Sequence, residues 1–283
     1  MYIGKYSAAQ LLQASVMDKE KVRFGFFGAV LATVLLFLGK GLSILFAADM
    51  TAAGVIGMLG SVAFGLVLSV TILGITASVH SGFSAKKSRA GMFKMGMEKI
   101  LPFIGVLFLF ALATLIILAV EYGIYLIGGA VGFGPVVLGI ATPFLLVLNF
   151  IAIFVLAVGT KLLPAYLVSE KGSIVDAAKT LSVRVYKNMP GIVANIGLLI
   201  VSVVPCITLL SALMYGTFMS VVMVDRLVLQ QAFFSGGFTD LPMFIFAGLS
   251  GLGLCALALL LVTCVVIYVN AGIYSIYCSL AKK

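Results

Sequence analysis

"LLPAYLVSEKGSIVDAAKTLSVRVYKNMPG", from Leu162 to Gly191, is the most polar stretch of a 283-residue chain that is otherwise strongly apolar. Hydrophobic residues make up 63% of the chain and charged residues 10%, whereas a soluble domain carries about 25% charged residues. Folding in water would leave much of this apolar surface exposed. The composition therefore predicts a polytopic integral membrane protein in which the short polar segment connects two spans.

Six apolar runs reach the length of about 20 residues that a helix needs to cross a bilayer. They cover approximately residues 22–47, 53–80, 100–128, 136–167, 191–219 and 243–278. The stretch from Met1 to Lys21 has no signal-peptide pattern, so we expect the first span to be its own insertion signal. We predict an all-α protein with six transmembrane helices, arranged as three hairpins in a single domain, 1–283.

The basic residues predict the orientation of these spans. Of the 18 Lys and Arg residues, all except Lys40 and Arg226 lie near the two termini or at the polar segments after spans two and four. The positive-inside rule places both termini and these segments in the cytoplasm, with the spans in the plasma (inner) membrane. The rule also accounts for the net charge of +9, so we expect anionic lipid headgroups as partners and no nucleic acid. The candidate lipid-facing residues are Lys86, Lys87, Arg89, Lys179, Arg184 and Lys187.

Two other segments resemble the opening one. "SAAQLLQASVMDKEKVRFGFF" begins at Ser7, "SAKKSRAGMFKMGMEKILPFI" at Ser84 and "SIVDAAKTLSVRVYKNMPGIV" at Ser173. Each carries a Lys near its end, Lys21, Lys99 or Lys187, and then continues into an apolar span. The similarity predicts three internal repeats, roughly 7–80, 84–167 and 173–278, each a cytoplasmic amphipathic helix followed by a transmembrane hairpin.

The last repeat has the clearest helix signals. Ser173 and Asp176 have capping-box spacing, as have Ser7 and Gln10 in the first repeat. Pro190, like Pro102 in the second repeat, suits the first turn of the following span. An apolar stripe separated from the charges is formed by Ile174, Ala177, Ala178, Leu181 and Val185. We expect this helix to lie in the inner interface with its stripe towards lipid, as a structural elbow or also as a surface that binds lipid or a partner.

The segment "LLPAYLVSEKGSIVDAAKTLSVRVYKN" is similar to a pattern in poorly characterised prokaryotic six-span families. There, a Pro and an aliphatic run precede Val/Ile-x-Glu, a Gly, an Ala-rich turn and a basic turn. The families include a large group of membrane proteins with a domain of unknown function and the membrane domain of some glycerophosphodiester phosphodiesterases. The N-terminal "IGKYSAAQLLQASVMDKEKVRFGF" resembles the first group more closely. The resemblance implies a six-span fold without an assigned activity, and this chain has no room for the phosphodiesterase barrel of about 250 residues.

Signatures of catalysis and of metal binding are missing from the sequence. There is no GxSxG, HExxH or P-loop motif and no useful pair of carboxylates. His80, at the inner end of span two, is better interpreted as a solvated helix end than as a catalyst. Cys206, Cys255, Cys264 and Cys278 are interpreted as small buried apolar residues. We therefore expect a protein that is not an enzyme, with no cofactor and no metal.

Polar side chains within the spans are the better functional candidates, because each is costly in lipid unless paired or hydrated. Glu121 in span three and Lys40 in span one are predicted either to pair in the outer leaflet or to reach separately to the outer headgroups. Asn149, Asn195 and Asn270 lie in spans four, five and six and are interpreted as interhelical hydrogen-bonding groups or as substrate contacts. Pro143 and Pro205 should kink spans four and five.

Small residues indicate close helix packing. In span two they recur every four residues as Gly57, Ser61, Gly65 and Ser69, and in span six as Ala247, Gly251 and Cys255. The longest outer loop, 220–242, is predicted to contain an interfacial helix that the Gly236–Gly237 pair ends. Together these features favour a non-enzymatic accessory or scaffold subunit that binds lipid and another membrane protein or a second copy. The alternative is a transporter or lipid-handling protein with a polar path near Glu121 and Lys40.

Overall fold

The computed structural model describes residues 2–46, 49–81, 88–130, 134–205, 207–208, 211, 215 and 241–281; residues 129–130, 134–135, 137, 241–248 and 250–251 are described by their backbone alone. Most of the predicted outer loop 220–242 and the candidates Lys86, Lys87 and Cys206 lie outside these ranges. Within them, all regular structure apart from one small hairpin is α-helical. The all-α prediction is confirmed.

The chain begins with a two-stranded antiparallel hairpin, in which Tyr2 pairs with Ser7 and Ile3 with Tyr6. The elements in order are β1 (Tyr2–Ile3), β2 (Tyr6–Ser7), α1 (Ala8–Ala14), α2 (Lys19–Leu45), α3 (Met50–His80), α4 (Arg89–Ala130), α5 (Gly134–Ser169), α6 (Ile174–Lys187), α7 (Met189–Pro205) and α8 (Leu241–Leu280). The sequence did not predict the hairpin.

Within the described ranges, five helices are long and apolar enough to cross a membrane. The qualifying segments are Lys19–Leu45, Met50–His80, Arg89–Gly128, Leu138–Ser169 and Leu252–Leu280. The pair α6–α7, bent by 85°, is a sixth candidate. These segments overlap the predicted spans and indicate a multi-pass membrane protein with five or six spans.

The three predicted repeats begin in different ways. In the third, Ser173 caps α6 and forms the predicted capping box with Asp176. In the first, the expected single helix is broken: α1 ends at Ala14, and Asp18 caps α2 by accepting hydrogen bonds from the next turn. There Lys21 is buried and donates to the Ala14 carbonyl oxygen at 2.6 Å. The buried Lys21 side chain therefore connects the end of α1 to the first turn of α2.

The second repeat departs furthest from the prediction. Helix α4 runs without a break from Arg89 to Ala130 with Pro102 in its interior, so a separate amphipathic helix ahead of the span is wrong for its described part. Asn188 ends α6 just before Pro190 of α7 by donating its backbone N–H to the Arg184 and Tyr186 carbonyls. No comparable cap precedes Pro102, where Ile100 and Leu101 continue the helix.

Contacts divide the chain into two compact units. The first comprises Met1–Ser7, Ser69–Ile196 and Ala271–Lys283, and the second Ala8–Leu68 and Gly197–Asn270. In the first unit, the buried core residues include Leu73, Ile75, Leu163, Tyr166, Leu181, Ile276 and Tyr277. The threefold repeat is not tested by this division and stays a prediction.

The apolar stripe of α6 belongs to the core of the first unit. Ala177, Leu181 and Val185 are fully buried, and α6 packs on α4 and α5. The predicted lipid-facing stripe is therefore wrong at these three positions, since α4 and α5 offer apolar surface to the same face. At the start of α6, Gly105 of α4 leaves room for Ile174: a Cβ on Gly105 would lie 2.7 Å from the Ile174 Cδ1.

In the second unit, α2 and α3 approach each other at a pair of glycines. A Cβ on Gly60 would lie 2.7 Å from the Gly39 Cα, and one on Gly39 would lie 2.6 Å from the Gly60 Cα. Both glycines are buried. The backbones of α2 and α3 can be this close only because neither residue has a side chain.

Candidate functional site

A polar cluster in the first unit joins the ends of three helices. Glu170 directly follows α5, Arg184 lies in the last turn of α6, and Tyr277 lies near the end of α8. Arg184 donates to both carboxylate oxygens of Glu170, with Nη1–Oε1 at 2.5 Å and Nη2–Oε2 at 3.3 Å. Arg184 Nη1 also donates to the Tyr277 hydroxyl at 2.7 Å, and that hydroxyl donates to Glu170. We call these three residues the Glu170 cluster.

The aromatic ring of Tyr277 completes the packing of the Glu170 cluster. Tyr277 is 1% exposed, and its ring meets that of Tyr166 edge to face with centroids 6.3 Å apart. The Arg184 guanidinium carbon lies 5.8 Å from the Tyr277 ring centroid. Charge-assisted hydrogen bonds and ring contacts thus connect α5, α6 and α8.

The cluster keeps Glu170 ionised. Partial burial alone would raise the pKa of the Glu170 carboxyl, but hydrogen bonds from Arg184 and Tyr277 and the charge of Arg184 outweigh it and lower that pKa. A carboxylate stabilised in this way is a weak base, because protonation would cost these bonds. The geometry is that of a structural ion pair.

A second polar group surrounds His80 at the C-terminal end of α3. Its Nδ1 lies 2.8 Å from the Tyr274 hydroxyl of α8 and 3.4 Å from the Ser169 Oγ of α5. Ser169 Oγ donates to the Ala165 carbonyl oxygen at 2.7 Å, as a helix-terminal hydroxyl does. His80 is exposed, which agrees with its interpretation as a solvated helix end.

The N-terminal hairpin docks on α7 and α8. Ser275 Oγ donates to the Ile3 carbonyl and accepts from the N–H groups of Lys5 and Tyr6, each at 3.0 Å. Asn195 Oδ1 accepts from the Gly4 N–H at 2.7 Å. Gly4 has φ +65°, and a Cβ there would lie 2.5 Å from the Ser275 carbonyl oxygen, so only glycine fits.

An open groove of about 480 Å³ lies between α4, α5 and α6. One wall is aliphatic, and the α6 wall contains Ser182, Tyr186 and Lys187 beside Val183. Of the predicted basic candidates, Lys187 lines this groove, whereas Arg184 is paired with Glu170. Lys179 is exposed on α6, and Arg89 is the first residue of α4.

The other polar candidates within the spans are not brought together by the described contacts. Glu121 has one buried carboxylate oxygen, Oε1, without a hydrogen-bond partner among the described residues. Lys40 is exposed and belongs to the second unit, whereas Glu121 belongs to the first. Their pairing stays a prediction. Asn149 is half-buried and Asn270 is buried.

Asn195 bonds the hairpin turn and, through Nδ2, the Gly191 carbonyl of its own helix. A contact of Asn195 with another transmembrane helix or with a substrate stays a prediction. Asn195, which was predicted to lie in span five, thus binds the N-terminal hairpin.

The predicted small-residue stripe of α3 is only partly buried. Gly57 is buried, and a Cβ at that position would lie 3.7 Å from the Ser43 Cβ, an ordinary van der Waals contact. Ser61 and Gly65 are exposed, and Ser69 is half-buried. In span six, Cys255 is exposed, and the side chains of Ala247 and Gly251 lie outside the described set. The role of both stripes stays a prediction.

Sequence reasoning missed several residues of the site: Gly4, Glu170, Tyr274, Ser275 and Tyr277. Tyr274 and Tyr277 look like interfacial aromatic residues near the end of an apolar run. The one local signal for the hairpin is a Gly–Lys pair between Tyr-Ile and Tyr-Ser, which suits a two-residue turn with Gly first. The partners of the other residues are distant in the sequence.

Among the described residues, no group of three or more His, Cys, Asp or Glu side chains could hold a metal ion. No protein-family model, curated protein or solved structure matches this chain. The resemblance of the 162–188 and N-terminal segments to six-span families stays a prediction.

Proposed function

We propose that this chain is a non-enzymatic accessory or scaffold subunit of a membrane, which binds lipid and another membrane protein. The observation that carries the proposal is how its polar side chains are used. Glu170 is bonded by Arg184 and Tyr277, and Ser275 and Asn195 are bonded to the hairpin backbone. Groups that could have moved protons or bound a substrate instead connect helix ends.

A membrane scaffold also needs surface for its partners. Large apolar side chains, 62–74% exposed, lie along α4 and α5, among them Phe108, Leu115, Phe144, Phe150 and Ile153. Such faces suit lipid tails or the helices of a second membrane protein. They support the proposal without selecting between these two kinds of contact.

The proposed location is the plasma (inner) membrane of a prokaryote, with both termini in the cytoplasm. In the first unit, the C-terminal ends of α3, α5 and α8 meet through His80, Ser169 and Tyr274, and Ser275 of α8 bonds the N-terminal hairpin. An even number of spans brings both termini to one side, so these contacts support the proposal. The basic residues then select the cytoplasmic side.

Native mass spectrometry of the full chain, released in mild detergent from its own membranes, tests the proposed function. We expect a second polypeptide at fixed stoichiometry together with retained lipid. A chain that carries a defined small molecule and no second polypeptide would contradict the scaffold function. Lys171→Gln changes an exposed side chain outside the apolar faces. This control variant should keep the partner.

Transport is the second candidate, favoured by one observation. The Glu121 Oε1 atom is buried without a hydrogen-bond partner among the described residues, as expected for a carboxyl on a polar path. In a variant without the native cysteines, Glu121→Cys should then react with a membrane-impermeant thiol reagent. Leu115→Cys, on an exposed apolar face, is the matched control that lipid should protect. Equal protection of both positions would remove the transport alternative.

A further inference from the structure

Helices α4 and α5 pack against each other along one stripe of residues on each helix. On α4, half-buried or buried residues recur every three or four positions, at Ala113, Ile117, Glu121, Ile124 and Gly128. On α5 they recur with the same spacing, at Leu138, Thr142, Leu145, Asn149, Ala152 and Leu156. Residues three and four apart share a helix face. We call these two facing stripes the α4–α5 seam.

Two contacts fix the register of the α4–α5 seam. A Cβ on Gly128 of α4 would lie 2.7 Å from the Leu138 Cδ2 of α5. Towards the other end, a Cβ on Gly159 of α5 would lie 3.2 Å from the Phe110 ring of α4. The two helices are therefore antiparallel neighbours between these contacts.

The register places Glu121 and Asn149 at nearly the same level of the seam. At a rise of about 1.5 Å per residue, Glu121 lies about 10.5 Å and Asn149 about 16.5 Å from the contact of Gly128 with Leu138. From the other contact, the distances are about 16.5 Å for Glu121 and about 15 Å for Asn149. The offset of the two residues along the seam is thus about 1.5–6 Å, roughly one helical turn at most.

Both side chains have unused hydrogen-bonding groups in the described part of the chain. Glu121 Oε1 is buried there without a partner, and the half-buried Asn149 forms none of the hydrogen bonds there. Their neighbours in the seam, Ile117, Leu145 and Ala152, are aliphatic. The Asn149 amide can donate to a carboxylate, but it does not neutralise the charge, which is costly within a membrane.

We propose that Glu121 and Asn149 form a binding site for one monovalent cation in the α4–α5 seam. The Glu121 carboxylate and the Asn149 carbonyl oxygen are hard ligands, and such oxygen ligands suit hard cations. One carboxylate balances one positive charge, whereas a divalent ion would leave a net charge within the membrane. The site differs from a cluster of several His, Cys, Asp or Glu ligands, and no such cluster lies in the described part of the chain.

The inference goes beyond the proposed scaffold function and does not depend on it. In a static bundle, a cation between two helices would join α4 to α5, and in a transporter it would lie on the polar path of the second candidate function. Lys40 is the competing source of positive charge, through the ion pair that the sequence predicts. Pairing with Lys40 would neutralise Glu121 without an ion, so the two interpretations give different experimental results.

Carbodiimide labelling of the purified full chain in detergent tests the site. Carbodiimides modify protonated carboxyl groups, so a bound cation that displaces the proton protects Glu121. At constant pH and ionic strength, replacing choline by Na⁺ should slow modification of Glu121 by the factor 1 + [Na⁺]/Kd, about tenfold at a concentration near ten times Kd. Glu98, exposed on the same helix, is the internal control, and its modification rate should not change. Peptide mass spectrometry measures both rates.

Three variants separate the ligands of the site from other polar groups. Asn149→Leu removes the amide at nearly constant volume and should abolish protection by Na⁺. Thr160→Val removes a hydroxyl that donates to the Ala157 carbonyl of α5 and should keep the protection, as should Lys40→Gln. Thermal unfolding in detergent checks that each variant folds. If Asn149→Leu does not fold, the comparison of Glu121 with Glu98 in wild type still decides.

Three results would overturn the proposal. Modification of Glu121 at the same rate in Na⁺ and choline would exclude a cation site, and equal slowing of Glu98 would indicate a general ionic effect. A Glu121 that becomes reactive only in Lys40→Gln, whichever cation is present, would assign it to the predicted ion pair. None of these results touches the proposed scaffold function, which depends on co-release of a second polypeptide from native membranes.

Discussion

Arg184, in the last turn of α6, donates two hydrogen bonds to Glu170, the residue that follows α5. The pair closes the short connection between these helices, and Tyr277 of α8 bonds both partners. A positive side chain near the C-terminus of α6 also interacts favourably with the helix dipole. Two covalently adjacent helices are thus fixed to a third that lies far along the chain.

Removing the guanidinium should destabilise this arrangement. We expect Arg184→Ala to lower the free energy of unfolding by about 1–2 kcal/mol, because a half-buried carboxylate and a buried tyrosine hydroxyl lose a charged partner. Arg184→Lys should recover only part of this loss, since an ammonium group cannot form the two parallel bonds. Thermal unfolding followed by helix circular dichroism measures the effect. Lys179→Ala, an exposed cation on the same helix, should leave the midpoint unchanged, and an equal decrease for both alanine variants would contradict the prediction.

The lowered pKa of Glu170 makes the stability of the first unit depend on pH. A carboxyl whose pKa is lower in the folded state stabilises the fold above its unfolded pKa of 4.5, and this contribution disappears as the pH falls through the folded pKa. We therefore expect the unfolding temperature of wild type to fall on acidification below about pH 4.5 more steeply than that of Glu170→Gln.

A second carboxyl provides the control for this pH dependence. The side-chain and backbone hydrogen bonds of Ser173 also lower the pKa of Asp176. Asp176→Asn removes that contribution but keeps the one from Glu170, so adding Glu170→Gln to Asp176→Asn should make its curve less steep. Parallel curves for wild type and Glu170→Gln would show that the cluster does not control the acid response.

The N-terminal hairpin depends on one buried hydroxyl. Ser275→Ala removes the donor to the Ile3 carbonyl and the acceptor shared by the Lys5 and Tyr6 N–H groups. We expect hydrogen exchange in the segment from Gly4 to Ser7 to accelerate about tenfold, the effect of losing roughly 1–2 kcal/mol of local protection. Hydrogen–deuterium exchange mass spectrometry measures it.

Ser279→Ala is the matched control for the hairpin. Ser279 lies one turn further along α8, and its hydroxyl donates to the Ile276 carbonyl of the same helix. This variant should leave exchange in the hairpin unchanged. Equal acceleration in both variants would mean that fraying of α8, and not the lost hydroxyl, exposes the hairpin.

The sequence predicted those features that depend on neighbouring residues. Ser173 and Asp176 are three residues apart, and the α6 start they predict is confirmed. The apolar runs predicted six spans, and five or six of them are present in the described part of the chain, because hydrophobic length is a property of one segment. Pro190 lies in the first turn of α7 as expected.

Features that join distant segments could not be predicted in the same way. Tyr277 bonds Glu170 across 107 residues, and Ser275 bonds Ile3 across 272. In sequence, Tyr277 is one aromatic residue at the end of an apolar run, and nothing near it indicates a carboxylate partner. The prediction that the α6 stripe faces lipid is wrong for the same reason. Periodicity shows that a helix face is apolar but not which part of the protein or membrane covers it.

The closest approach of α2 and α3 also could not be predicted from the spacing of small residues in one helix. The predicted stripe of α3 includes Gly57 and Gly65, but the tight contact is between Gly60 and Gly39. A methyl group on Gly60 would lie 2.7 Å from the Gly39 Cα, a backbone atom that cannot move aside without the rest of its helix. We expect Gly60→Ala to lower the free energy of unfolding by about 1–3 kcal/mol, the usual effect of overpacking.

Gly65→Ala has open space for its Cβ and should be neutral or slightly stabilising, because alanine favours a helix. Thermal unfolding of both variants in detergent separates the two glycines. A greater loss for Gly65→Ala would assign the packing face to the stripe and show that α2 and α3 do not meet at Gly60.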